Sequence, residues 1–150
     1  MRLIHLLERH RSAIDQLRAN PPADDRSDRD RREDIEDNRV YPNPLPFLSP
    51  RDPRWMDWHD RGDVAAHHVG GKTQVLPIDQ LISTERFLEP NALKRRTGDR
   101  ASSARPVIFK VDGNYLIADG NNRVVQAHLS GKPKMKVDVI DVDEYERGVA

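Results

Sequence analysis

The stretch that decides the fold is residues 107–130, which read VIFKVDGNYLIADGNNRVVQAHLS. Two runs of β-branched and aromatic residues flank Asp112-Gly113. This pattern predicts a β-hairpin, because the tight turns of hairpins need residues that accept positive φ angles. Gly120 then follows the second run, and a helix is predicted over residues 121–130, with Gly131 as its C-cap. A hairpin therefore leads directly into a helix.

Further strands are predicted on both sides of this stretch. Residues 74–78, QVLPI, favour a short strand, and residues 79–82 favour a turn or short helix after it. Residues 134–139, KMKVDV, alternate between polar and apolar side chains, which is typical of a strand with one buried face. The combination predicts a small α+β domain over residues 72–150.

The chain before this domain has a different composition. Residues 2–19 have leucine and isoleucine at helical spacing, and they predict an amphipathic helix in a first segment, 1–20. Twelve of the fourteen residues at 24–37 are charged, and seven of the eleven prolines lie between residues 21 and 53. We therefore expect residues 21–71 to form an extended, charged and proline-rich arm or linker.

Three aromatic residues lie within this arm. Phe47, Trp55 and Trp58 fall outside any periodic pattern, and we expect them to be docking anchors, on this chain or on a partner. We expect residues 24–60 to pack little against the domain at 72–143, because charge and proline leave few apolar contacts. The first helix and the arm are the expected contact sites for a protein partner.

Composition excludes several classes of function. The 150 residues include no cysteine, so disulfides, thiolate metal sites and a cysteine nucleophile are excluded. Lysine plus arginine and aspartate plus glutamate each total 25, so the net charge gives no general attraction for nucleic acid. No apolar run reaches the ~18 residues that a membrane-spanning helix needs. We therefore expect no membrane contact and a cytoplasmic location.

The turn before the predicted helix carries the chemistry. A helix that begins directly after a glycine presents free backbone N–H groups, and these groups and the helix dipole favour a phosphate. The candidate phosphate- or nucleotide-binding residues are Gly120, Asn121, Asn122 and Arg123, of which Arg123 is a charged, forked donor. The alternative is a purely structural helix start, which Asp119 or Asn121 caps.

Carboxylates near this turn are candidates for catalysis. Asp119 and either Glu85 or Glu89 could hold Mg²⁺, if two carboxylates meet across a bound phosphate. The alternative, which the sequence supports equally, is that Asp119 caps the helix and Glu85 is solvated.

Other charged groups bear on the ligand. A basic loop beside a phosphate site suits nucleic acid, although a solvated loop is an equal alternative. Its candidate residues are Lys94, Arg95, Arg96, Arg100 and Arg105. His59-Asp60 and His67-His68 have no third ligand at a readable spacing, so no separate metal site is predicted.

The order of these segments carries a family resemblance. Residues 75–81, VLPIDQL, form an entry strand, residues 119–123, DGNNR, form the turn, and Gly131-Lys132 precedes the last strand. This ordered set resembles the ParB/sulfiredoxin superfamily over roughly residues 72–143. The resemblance implies a small mixed sheet with a phosphate-binding helix.

Two departures limit what the resemblance implies. Sulfiredoxins carry a cysteine in the turn, where this chain has Asn121, so thiol chemistry is excluded. Nuclease and kinase relatives often carry a histidine there. This chain has Asn121 and Asn122 at the two central positions, and asparagine cannot shuttle protons near neutral pH.

The resemblance implies a ParB-like domain that binds a nucleotide (ATP or CTP) or a nucleic acid, and metal-dependent nuclease activity with Mg²⁺ belongs to the same expectation. A nucleotide-dependent small-molecule kinase is a weaker hypothesis, which rests on Asp119. The alternative from another class is a non-catalytic assembly protein, for example a phage particle component, that uses the domain as a scaffold and the arm for docking. The setting that the resemblance implies is the cytoplasm of a bacterium or of a phage-infected host.

Overall fold

A computed structural model of the chain describes residues 13–21, 41–85, 87–88 and 105–149. Within these residues the helices are α1 (Ala13–Ala19), α2 (Pro53–His68), α3 (Asn121–Leu129) and α4 (Val142–Val149). The strands are β1 (Tyr41–Pro42), β2 (Lys72–Pro77), β3 (Leu81–Ile82), β4 (Phe87–Leu88), β5 (Val107–Val111), β6 (Asn114–Asp119) and β7 (Lys134–Asp141). A 3₁₀ turn, Ile78–Gln80, joins β2 to β3.

In the described residues, five strands form one mixed sheet in the order β2-β7-β5-β6-β3. The β2–β7 and β5–β6 pairs are antiparallel, whereas the β5–β7 and β3–β6 pairs are parallel. This arrangement confirms the expected α+β class. The short strands β1 and β4 form a separate antiparallel pair.

The sheet is strongly curved. The two outermost strands, β2 and β3, are joined by only the three residues Ile78–Gln80. Four strand spacings of ~4.8 Å would separate these strands in a flat sheet by about 19 Å, which is more than so short a connection can reach. The outer strands must therefore curl towards each other.

The hairpin is the one that the sequence predicts. Asp112 and Gly113 have φ angles of 50° and 77°, so both central residues of the turn are left-handed, as a type I′ turn requires. We call the end of the sheet that carries this turn the hairpin end. The opposite end, where β6 stops at Asp119 and α3 begins, is the helix-start end.

The two faces of the sheet have separate cores. Adjacent residues of β5 point to opposite faces, so Ile108 and Phe109 belong to different clusters. On the first face, Val124 and Val125 of α3 pack in the cluster of Ile108, and all three side chains are fully buried. On the second face, α2, α4 and α1 cover Phe109; the buried members from the helices are Ala13, Ile14, Leu17, Trp58, Ala65 and Val142.

Helix α2 corrects the expectation of an extended arm at residues 53–68. Asp52 is its N-cap, with Oδ1 accepting a hydrogen bond from the Arg54 backbone N–H at 3.0 Å, and Pro53 opens the first turn. Trp55 and Trp58 therefore lie on a regular helix, and Trp58 is buried in the core. Asp52-Pro53 is a local signal for a helix start, whereas the proline content of the surrounding segment favours an extended arm.

Residues 43–49 also pack against the domain, so the expectation that residues 24–60 make few contacts is wrong for the described part of that range. Phe47 forms a parallel bridge with Ser83, and the Leu48 backbone N–H donates to the Ser83 carbonyl at 2.9 Å. Leu45 and Leu48 are buried. The segment extends the sheet beside β3, although β propensity does not predict it.

Some sequence expectations lie outside the described residues. They include the first half of the helix at 2–19, the charged run at 24–37 and the loop with Lys94, Arg95, Arg96 and Arg100, together with Glu89. Of the first helix, residues 13–19 are described, and they are helical with a buried apolar side. Among the described residues, no helix is both long enough and apolar enough to cross a membrane.

Candidate functional site

The turn at the helix-start end is shaped by Gly120. Its φ of 94° is left-handed, and a Cβ there would stand 3.0 Å from the Cα of Pro106. Both facts require glycine. Gly120 is the N-cap of α3 and has no side chain to accept the first helical N–H groups, so neither Asp119 nor Asn121 serves as the side-chain cap. The start of α3 therefore keeps the polarity that favours an anion.

Arg123, in the first turn of α3, has buried nitrogens without partners. Its Nε and Nη1 atoms are out of contact with solvent and make no hydrogen bond to any described residue. The side-chain Oδ1 of the neighbouring Asn122 is also buried and accepts no hydrogen bond from any described residue. A charged donor that is buried and unsatisfied costs free energy, because it has given up water without replacing it.

Asn121 has a structural role that its position in the turn did not reveal. It is buried, and its Oδ1 accepts hydrogen bonds from Ser83 Oγ at 2.7 Å and from the Thr84 N–H at 3.1 Å. Its Nδ2 donates to Thr84 Oγ1 at 3.1 Å. The Asn121 side chain is thus occupied in tying α3 to the segment after β3, and it is not free to bind a phosphate.

Three further residues shape the turn, and no sequence pattern marks them: Ser83, Thr84 and Pro106. Ser83 and Thr84 hold Asn121, Thr84 Oγ1 also donates to the Ile117 carbonyl at 3.1 Å, and Pro106 packs against Gly120. These residues are neighbours of the turn only in the folded chain. A single sequence offers no signal for such pairs.

The carboxylates Asp119 and Glu85 leave the sheet at the same end. Asp119 is the last residue of β6, Glu85 follows the parallel neighbour β3, and both are exposed. β3 runs parallel to β6, so both carboxylates lie beyond the same end of these two strands. Within the described ranges, no group of three or more histidine, aspartate or glutamate side chains could hold a metal ion. A cation here would need oxygens from a bound phosphate.

Arg105 is the described member of the predicted basic loop. It is exposed, and its Nε atom lies 3.0 Å from Asp138 Oδ1 on β7. The hydrogen bond from Arg105, and then one from Thr73, lowers the pKa of Asp138 below its ordinary value. Arg105 therefore sits beside β7, next to the turn whose Gly120 packs on Pro106.

His59 and His68 of α2 each lie against an aromatic ring. His59 is half-buried, with its ring 4.5 Å from that of Trp55, and burial lowers its pKa against the opposing effect of Asp63 and Asp60. His68 stacks on Tyr145, with ring centroids 5.4 Å apart. Both histidines are on α2 and pack against aromatic side chains.

Comparison with known proteins adds no relative. No protein-family model matches the chain, and neither the curated proteins nor the solved structures contain a match. The resemblance to the ParB/sulfiredoxin superfamily therefore remains an expectation that rests on the motifs quoted above.

Proposed function

We propose that this chain is a ParB-like domain that binds the phosphate of a nucleotide or nucleic acid at Gly120, Asn122 and Arg123. The observation that carries the proposal is the pair of buried Arg123 nitrogens without partners in the described chain. A phosphate is a strong acceptor for a guanidinium, because its charged oxygens accept short, charge-assisted hydrogen bonds from N–H donors. A bound phosphate would give these nitrogens hydrogen-bond acceptors and so offset the free energy lost when Arg123 was desolvated.

The surroundings of Arg123 support an anion rather than a neutral ligand. The N-terminal polarity of α3 adds to the charge of Arg123, and the N-cap has no side chain that competes for the first N–H groups. Asn121, which is tied to Ser83 and Thr84, holds the start of the helix in place. A rigid donor set loses little entropy when the ligand arrives.

Nuclease activity is a further part of the proposal, and its candidate groups are Asp119 and Glu85. Both leave the sheet at the end where the phosphate would sit, and a phosphate-bound Mg²⁺ between them would complete the site. The occupied side chain of Asn121 offers no proton shuttle, so we expect weak turnover or none. Mg²⁺-dependent cleavage of DNA that Asp119→Asn abolishes would contradict that expectation.

The second candidate function is non-catalytic assembly. Helix α2 leaves Met56 and Val64, eight residues apart on one helical face, 63% and 52% exposed. These two side chains are the candidate contacts for a protein partner, with the exposed Asp60 between them on the same row of the helix. Under this second function, the turn at Gly120 has only a structural role, and the partner contacts α2.

The experiment that separates the two functions is a titration of the purified chain with ATP, CTP and a short DNA strand at low salt. Arg123→Ala should weaken binding tenfold or more, since a hydrogen bond to a charged group contributes roughly 1.5–3 kcal/mol. Asn122→Asp should also abolish binding, because the new carboxylate can pair with Arg123 in place of the ligand.

The matched control is Arg147→Ala, which removes an exposed arginine from α4 at the hairpin end. It should bind as the wild type does, and all three variants should keep the wild-type far-UV circular dichroism. If the wild type binds none of the three probes, the phosphate-site proposal fails and the assembly function is favoured.

A further inference from the structure

We infer that the ligand is a nucleic acid strand, whose backbone continues from the Arg123 turn across a second basic surface. This inference rests on the proposed function, and it specifies the ligand class of the same end of the sheet. We call the second surface the basic margin; its residues are Arg105, Lys132, Lys134 and Lys136, and all four are exposed.

The strand register locates the basic margin beside the turn. Val107 of β5 pairs with both Asp119 of β6 and Asp138 of β7, so these three residues form one row across the sheet. Two strand spacings place Asp119 about 10 Å from Asp138. Arg105 and Lys136 each precede this row by two residues on parallel strands, so they extend past it at the helix-start end.

The basic margin is open to solvent on the face that α2 covers elsewhere. Lys136 pairs directly with Val75 on β2, and the Val75 side chain is 56% exposed. Lys134 and Lys136 lie on the same face as Asp138, because side chains two residues apart share a face. Both lysines are therefore accessible to a ligand from the same side of the sheet.

The lysines of the basic margin are not neutralised by the described residues. Arg105 pairs with Asp138, but Lys132, Lys134 and Lys136 form no ion pair within the described ranges. At the opposite, hairpin end the charge has the other sign; the carboxylates there include Asp112, Asp141, Asp143, Glu144 and Glu146. Among the described residues, the helix-start end carries Arg123 and the four margin residues against the carboxylates of Asp119, Glu85 and Asp138, so these groups together are net positive, and a positive field steers a polyanion.

The dimensions favour a strand over a single nucleotide. Within β7, Lys134 and Lys136 are about 7 Å apart, and Lys136 lies two residues beyond the row in which Asp119 and Asp138 are about 10 Å apart. A strand that is held at Arg123 by one phosphate presents a further phosphate with every nucleotide, so it can contact Arg123 and the lysines of the margin together. No aromatic side chain is among the margin residues, so we expect contacts to phosphate without base recognition.

The test compares the double variant Lys134→Glu/Lys136→Glu with the wild type on two probes. The probes are fluorescent oligothymidylate of about 12 nucleotides and CTP. The double variant should lose tenfold or more of its affinity for the oligonucleotide and keep its affinity for CTP. The slope of log affinity against log salt should become shallower by about 1.4, since each lost single-strand phosphate contact removes ~0.7.

Two controls make the result specific. Lys72→Glu reverses an exposed charge on β2 three residues from Val75, the pairing partner of Lys136, and it should leave both affinities unchanged. Arg123→Ala should weaken the binding of both probes. The lysine variants should melt within a few degrees of the wild type, because the substituted side chains of Lys72, Lys134 and Lys136 are exposed.

Several outcomes would overturn the inference. If CTP binds but the oligonucleotide binds no more tightly, or if the double variant keeps full oligonucleotide affinity, the margin is not a nucleic-acid surface and the proposed function stands. If poly-glutamate competes as well as DNA, the surface recognises acidic proteins instead. If neither CTP nor the oligonucleotide binds the wild type, the proposed function itself fails.

Discussion

At the residue scale, a glycine sets the distance between α2 and the sheet. A Cβ at Gly62 would stand only 2.0 Å from Cδ2 of the Phe109 ring, so the ring lies where any other side chain would begin. Glycine within a helix costs up to ~1 kcal/mol relative to alanine. Here that cost is offset by burying Phe109 and Trp58 between the helix and β5.

We predict that Gly62→Ala destabilises the protein by about 1–3 kcal/mol, because overpacking forces the Phe109 ring or the helix to move. Gly148→Ala, in α4, is the control: nothing lies within 4 Å of the new methyl group, so helix propensity should make this change neutral or stabilising. Urea denaturation measures both. Equal stabilisation by the two substitutions would show that Phe109 does not restrict α2.

The residues of the turn differ in whether their side-chain donors and acceptors are already hydrogen-bonded within the chain. The Asn121 side chain is hydrogen-bonded to Ser83 and Thr84, whereas Arg123 has two buried nitrogens without partners in the described chain. Adjacent members of one motif can therefore have opposite roles. The first maintains the geometry of the turn, and the second is the group that we expect to meet the ligand.

At the element scale, Arg61 ties α2 to α4 and to the hairpin. Its Nε and Nη2 atoms donate to the two carboxylate oxygens of Glu146 at 2.9 and 2.7 Å. Nη1 and Nη2 donate to Asp112 at 3.0 and 2.8 Å, and Trp58 Nε1 donates to the same carboxylate at 3.2 Å. Three elements that are distant in sequence thus share one guanidinium.

This network predicts a loss of stability in acid. Hydrogen bonds from Arg61 lower the pKa of Asp112 and of Glu146 in the folded chain. Each carboxylate therefore has a lower pKa in the folded chain than in the unfolded chain. The stabilisation by the two ion pairs is complete at a pH above the unfolded pKa values of ~4. It is lost as the pH falls through the folded values, when both carboxylates become protonated.

We predict that Arg61→Met lowers the free energy of unfolding at pH 7 by about 1 kcal/mol, a modest value because water screens half-exposed pairs. The variant should also lose less stability than the wild type between about pH 5 and pH 3. Arg147→Met on α4 is the control and should follow the wild-type pH profile. An unchanged pH slope in Arg61→Met would contradict this role of the network.

At the scale of the whole molecule, the domain begins well before the first strand of the sheet. The second face of the sheet is covered by α2, and residues 43–49 line the edge of β3. Without them, Phe109, Val111 and Ile140 would lose most of their cover. The composition-based boundary at residue 72 divides the protein by polarity, but the core extends across that boundary.

We predict that a truncated chain of residues 72–150 fails to unfold cooperatively and binds the dye ANS, because its second face is exposed to water. A chain of residues 41–150, which keeps α2 and the β3 edge, should show a cooperative transition, although removing α1 will lower its midpoint. Thermal melts by circular dichroism provide the comparison. Cooperative unfolding of residues 72–150 would show instead that the sheet, α3 and α4 form a stable core without α2.

The sequence by itself determined the elements that depend on neighbours along the chain. Asp112-Gly113 predicted the hairpin, because only positive φ angles close its turn, and the glycines at 120 and 131 bracket α3 for the same reason. The alternating pattern of β7 and the α+β class also follow from local periodicity. These features depend on dihedral preference and spacing, which a short segment contains in full.

Only the tertiary structure decided which distant residues meet. It placed Trp58 in the core and made Gly62 a contact of Phe109. It joined Asn121 to Ser83, and it brought Lys136 to the same end of the sheet as Arg123. Each of these pairings depends on the strand order and the curvature of the sheet. That order is chosen by the burial of both faces at once, a property of the whole chain that no local pattern contains.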